Sequence, residues 1–203
     1  MSSTPAAEAR IGPNAVLQTL GAFLDAEGHT RSDALRTRAG VPDPLPPGMV
    51  PEACFTRLVA AVRAELSPRR ADAVLADAGR RTADYVTTHR IPRSVQLLLR
   101  VLPRRVALPL LLSSVARHAW TFTGAGHFRV EGPYPGVLVL QHAPTCRAHT
   151  TSAPSGAYYA AAFEGLLRLA APGIRVREVA CQSRGAPACR FAIELPGTPA
   201  LPR

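Results

Sequence analysis

The alternation of apolar and polar positions divides the chain into a helical first half and a mixed second half. From Asn14 to Glu27, Leu17, Leu20 and Leu24 recur at helical spacing, opened by Pro13 and closed by Gly28. The run RSDALRTRAG adds a short helix ending at Gly40, and the proline-rich VPDPLPPGMVP then reads as an extended, exposed connector. Four helices follow: Glu52 to Leu66, Pro68 to about Thr88 after Ser67, Pro92 to Leu102, and Arg104 to His118. Beyond them the texture changes. WTFTGAGHFRVE and GVLVLQH are short, β-branched or aromatic, and separated by Gly132, Pro133 and Pro135, so both read as strands. SGAYYAAAFEGLLRLAA reads as a helix capped by Ser155, and IRVREVAC and CRFAIEL as two strands around the turn QSRGAPA.

The expected fold class is therefore α+β: a helical N-terminal half, then a four-stranded, mostly antiparallel sheet in the order β-β-α-β-β, covered by helices on one side. Residues 1–50 form a loose helical arm with its connector, 51–195 the main body, and 196–203 a disordered tail.

Composition narrows the setting. At 203 residues, with 47% apolar residues, the chain is long enough for one well-packed domain. Its formal charge of +10 comes entirely from arginine, without a single lysine. Alongside abundant alanine and proline, that bias reflects GC-rich coding as much as selection for a polyanion. No nucleic-acid motif accompanies the charge and the aromatic residues do not interleave with the arginines, so no nucleic-acid partner is expected. The start MSSTPAAEAR lacks the basic and apolar regions of a secretory signal, which points to the cytoplasm. The most apolar stretch, VQLLLRVLPRRVALPLLLSSVARHAW, is interrupted by Pro103, Arg104, Arg105 and Pro109 and falls short of the ~20 unbroken apolar residues of a membrane span. It reads as two buried helices.

Four cysteines in a reducing compartment argue for thiols or metal ligands rather than a disulfide framework. If the last two strands form a hairpin, EVACQSRGAPACRF brings Glu178, Cys181 and Cys189 to one strand end, and Cys146 can join from a neighbouring strand. Three thiolates and a carboxylate suit a closed, tetrahedral, structural zinc site. Spacing alone leaves the alternative open that these are small buried core residues. Cys54, on an amphipathic helix without other ligand types nearby, reads as a core thiol.

PTCR, SGAYYAAAFEGLL and REVACQSRGAPACRF resemble, in order, the C-terminal half of the 4-vinyl reductase-like domain family. In phenol-sensing members of that family the matching positions bind zinc, which implies Cys146, Glu178, Cys181 and Cys189 as ligands here. The spacing between Cys146 and Glu178 is longer than in those sensors. TADYVTTHRIPRSVQLLLRVLP and ARHAWTFTGAGHF resemble members that serve bacteriochlorophyll biosynthesis, and this likeness runs from about Ile11 to Leu195. The resemblance implies a ligand-binding domain linked to the 8-vinyl group of chlorophyll precursors. It also implies a fold shared with sensor domains and vesicle-tethering subunits, and a homodimer.

The family name asserts a reductase, but the chain lacks a G-x-G-x-x-G after a strand to hold a dinucleotide. A glutamate among three cysteines also suits zinc better than an iron–sulfur cluster. The favoured expectation is a carrier of a magnesium tetrapyrrole that presents it to other bacteriochlorophyll biosynthesis enzymes. Divinyl reductase and small-molecule sensor are the alternatives. Arg104 and Arg105 are candidates for the pigment's carboxylates, and His118 and His127, flanking Trp120, for its magnesium or keto group. His142 is a candidate to orient the zinc site. Such a carrier would be cytoplasmic, at the periphery of the photosynthetic membrane.

Overall fold

In a computed structural model, which describes residues 8–146 and 155–197, Pro13 opens helix α1 (Pro13–Glu27) and Gly28, at φ 85°, closes it. The buried stripe of α1 is Val16, Thr19, Leu20 and Phe23, while Leu17 stands exposed, so the inward face lies one position away from the leucine pattern. Helix α2 (His29–Arg38) follows. The connector then returns to the body: β1 (Arg10–Ile11) pairs antiparallel with β2 (Val50–Pro51), placing Ile11 opposite Val50. Val16, Phe23, Leu35, Val41 and Val50 all enter the same apolar core as the later helices. The N-terminal segment is thus packed rather than loose, because these side chains gain more by burial than the segment loses in chain entropy.

Helices α3 (Glu52–Glu65), α4 (Pro68–His89), α5 (Arg93–Val101) and α6 (Arg104–Arg117) begin and end close to the expected positions. Two findings differ. Trp120–Thr123 is not strand but a helical turn, α7: the amides of Phe122 and Thr123 both donate to the carbonyl of Ala119, and Gly124, at φ 59°, breaks the turn. Strand β3 (His127–Glu131) starts only beyond it. The α5–α6 pair is also not buried. Leu99 is the one buried residue of α5, and α6 buries Ala107, Leu108, Leu111 and Leu112 while its remaining apolar side chains face outward.

Strand β4 (Val137–Gln141), helix α8 (Ala157–Leu167), and strands β5 (Arg175–Ala180) and β6 (Cys189–Glu194) complete the fold. The four-stranded sheet has the order β3-β4-β6-β5 and every neighbouring pair is antiparallel. Helix α8 lies on the sheet, with the ring of Phe163 5.5 Å from Phe191 of β6 and 5.5 Å from Phe128 of β3. Helix α4 crosses α8 at Gly79, where a Cβ would sit 2.2 Å from the carbonyl oxygen of Tyr158. Gly156, not Ser155, is the N-cap of α8. No helix among the described residues is long and apolar enough to cross a membrane. Residues 198–203 of the expected tail lie outside the described residues.

The close crossing makes a direct prediction. Gly79→Ala forces α4 away from α8 and costs at least about 1–3 kcal/mol of stability, read by denaturant unfolding.

Candidate metal centre

The thiols meet because of one irregularity in β5. Side chains alternate across a strand, so residues three apart, such as Glu178 and Cys181, belong on opposite faces. The register between β5 and β6 shifts between Glu178, opposite Phe191, and Ala180, opposite Arg190. This bulge absorbs Val179, which is exposed, and turns both Glu178 and Cys181 toward α8. Cys189 opens β6 opposite Leu140 of β4, and a short 3-10 turn after β4, Pro144–Cys146, swings Cys146 over the same strand ends.

The three Sγ atoms lie within 4.8 Å of one another: 3.3 Å separates Cys146 from Cys189 and 3.7 Å separates Cys146 from Cys181. A tetrahedral ion with Zn–S bonds of about 2.3 Å needs sulfurs about 3.8 Å apart. The cluster therefore has the donor chemistry and nearly the spacing to hold a metal ion. All four cysteines are free thiols, and Cys54 is apart from the cluster, buried in the apolar core.

Glu178 stands beside this trio rather than inside it, because its Oε2 accepts a 2.9 Å hydrogen bond from the amide of Gly156. Its Oε1 is buried without a hydrogen-bond partner among the described residues. An orphaned carboxylate oxygen next to three thiols is the atom a cation would satisfy. Gly156 is required for this approach, since a Cβ there would lie 2.5 Å from the carboxylate.

Electrostatics divide the cluster. Cys181 is held well below the ordinary thiol range, first by hydrogen bonds from Cys146 and Cys189 and then by Ser183 and the amide of Ser155, which donates to its sulfur at 3.2 Å. Cys146 is pushed up to about 11, chiefly by its hydrogen bond to Cys181, and Cys189 also moves up through its bonds to Cys146 and Cys181. Burial, followed by the charge of Cys181, pushes Glu178 up to about 8. One sulfur thus carries the charge while the remaining donors hold protons.

Sequence reading missed the supporting residues. Gln182 accepts from the amide of Ala143 at 2.9 Å and donates to the carbonyl of Pro187 at 3.3 Å, tying the turn before Cys146 to the β5–β6 connection. Ser155 meets Ser183 at 2.9 Å between their hydroxyl oxygens. The polar QSR directly after Cys181 was the signal available. His142, the candidate for orienting the site, is exposed, with its backbone at φ 53°.

The five pigment-binding candidates do not converge. Arg104 opens α6 and His118 caps its other end, about 21 Å apart at a rise of about 1.5 Å per residue. All of Arg104, Arg105, His118, Trp120 and His127 are exposed. Two open concavities of about 280 Å³ each, one beside Glu52 and Arg57 and the other beside Arg80 and Glu164, are lined by none of them.

The fold and the thiol cluster together define the class. Residues 137–195, which carry the cysteines and Glu178, match the 4-vinyl reductase-like domain. A bacteriochlorophyll synthase 23 kDa chain from Cereibacter sphaeroides is 38% identical over 195 residues, covering 95% of this chain and 94% of its own length. The chain of the same name from Rhodobacter capsulatus is 37% identical over 192 residues, covering 94% and 89%. The protein belongs to the family of these bacteriochlorophyll synthase 23 kDa chains. In fold alone it also resembles the crystal structure of the Fe(II) unliganded H-NOX protein from K. algicida, with a TM-score of 0.59 at 10% identity, over 95% of this chain and 100% of that one.

Two outcomes are expected. Equilibrated with zinc and desalted, the chain retains about one ion, whereas Cys146→Ser, Cys181→Ser and Cys189→Ser retain none and melt at lower temperature; Cys54→Ser keeps the ion. Because Cys146 and Cys189 start protonated, zinc uptake near neutral pH releases about two protons from the thiols, and affinity falls as pH falls. Calorimetry in buffers of different ionisation enthalpy measures the release.

Proposed function

We propose that this chain is a non-catalytic accessory protein of bacteriochlorophyll biosynthesis. It binds a magnesium tetrapyrrole intermediate, of the divinyl or monovinyl protochlorophyllide or magnesium-protoporphyrin type, and delivers it to pathway enzymes. Kinship with the bacteriochlorophyll synthase 23 kDa chains supports the pathway. In this reading residues 51–195 are the ligand-binding body, braced by residues 1–50. Zinc held by Cys146, Cys181, Cys189 and Glu178 is structural: as a Lewis acid with four protein donors it fixes the strand ends and keeps no open position for substrate.

The observation that carries the binding role is Trp120, 61% exposed on the short turn between α6 and β3 and flanked by exposed His118 and His127. A large aromatic face left in water beside imidazoles is a surface prepared for a flat apolar ligand. The Nδ1 of His118 lies 2.9 Å from the carbonyl of Ser114; as donor there, it leaves the Nε2 lone pair outward for a magnesium axial position. Arg104 and Arg105, at the far end of α6, are too distant to hold the carboxylates of a macrocycle bound at His118. The non-catalytic reading is supported by the lack of a dinucleotide fingerprint in the sequence.

Titration with divinyl and monovinyl protochlorophyllide, with and without NADPH, tests the reading. The expected result is a shifted pigment spectrum at one equivalent with unchanged vinyl content, and an affinity about tenfold lower in Trp120→Ala. Conversion of divinyl to monovinyl pigment by the pure protein would make it a reductase.

A further inference from the structure

Six of the eleven large apolar side chains that stand exposed among the described residues fall between Val95 and Leu110, on the α5–α6 hairpin. Leu97, Leu98 and Val101, the first and last 62% and 69% exposed, occupy one face of α5, and Val106 and Leu110 one line of α6. The link Leu102–Pro103 is too short to cover them. Such clustering on an otherwise ordinary surface marks a docking site.

The charges around it select the occupant. No acidic residue occurs between Asp84 and Glu131, while Arg90, Arg93, Arg100, Arg104 and Arg105 surround the hairpin. None of these five makes an ion pair among the described residues, whereas arginines on neighbouring elements do: Arg63 pairs with Asp72, Arg70 with Glu27, and Arg81 with Asp25 and Asp77. A second copy of the chain docked face to face would bring these unpaired arginines against themselves. A surface of anionic headgroups over acyl chains answers both features, since it pairs the guanidinium groups and takes up the apolar side chains.

We propose that the α5–α6 hairpin docks the protein on an anionic lipid surface, with Leu97, Leu98, Val101 and Val106 entering the interface and Arg100, Arg104 and Arg105 at headgroup level. This role is separate from pigment binding, because the residues assigned to the pigment lie at the other end of α6.

The test is co-sedimentation of the full chain with vesicles of phosphatidylcholine alone or mixed with phosphatidylglycerol. The protein is expected to bind the mixed vesicles, to leave them at high salt, and to ignore pure phosphatidylcholine. Arg104→Gln/Arg105→Gln should bind roughly 30-fold more weakly, and Leu98→Asp/Val101→Asp should not bind while keeping its circular dichroism spectrum and its bound pigment. Absence of binding to the mixed vesicles, or equal binding by the variants, overturns the proposal. So does a wild-type dimer that Leu98→Asp/Val101→Asp dissociates, because the hairpin would then be a contact between chains.

Discussion

The arrangement of the C-terminal half depends on three thiols and a carboxylate being held at the ends of adjacent strands. Left as metal-free neighbours they are a poor core: Glu178 is buried with an unsatisfied oxygen, and the sulfurs share too few acceptors for their protons. A bound cation converts that cost into a crosslink between the turn after β4 and the β5–β6 connection, two segments otherwise joined by the Gln182 bridge. The amides of Ser155 and Gln182 already point at sulfur, so the site is preorganised for thiolate charge.

That rigid end leaves the rest of the molecule free to work as a scaffold. The aromatic cluster of Phe122, Phe128, Tyr159, Phe163 and Phe191 locks α7, the sheet and α8 together, and the Tyr159 hydroxyl fixes the turn through the carbonyl of Phe122 at 2.9 Å. Trp120 projects from the outside of that locked turn. A tetrapyrrole stacked there would be bound at the surface, where a pathway enzyme can reach it. This is the geometry of exchange rather than of sequestered chemistry.

Periodicity made the helices and the sheet legible because each apolar stripe, such as Leu138 and Leu140 of β4 against Phe191 and Cys189 of β6, meets a partner with the same period. Other features depend on tertiary contacts. The bulge at Val179 has no local signature, yet it alone reconciles Glu178 and Cys181 on one face. Ser155 looks like a helix cap but is drawn to Ser183 and the thiols, leaving Gly156 in that position. Trp120–Thr123 has strand composition and becomes helical because it closes onto Ala119. The α5–α6 hairpin is apolar enough to be core and stays outside, a placement that composition could not distinguish from burial. The cysteine trio itself was legible, because ligand type and strand order carry most of that information; the turning of Glu178 toward Gly156 was not.

Zinc K-edge X-ray absorption on the zinc-loaded protein tests the central claim most directly. The account predicts a first shell of three sulfurs at about 2.3 Å and one oxygen at about 2.0 Å. A shell of nitrogen and oxygen alone, unchanged in Cys181→Ser, would place the ion elsewhere and remove the crosslink on which the account rests.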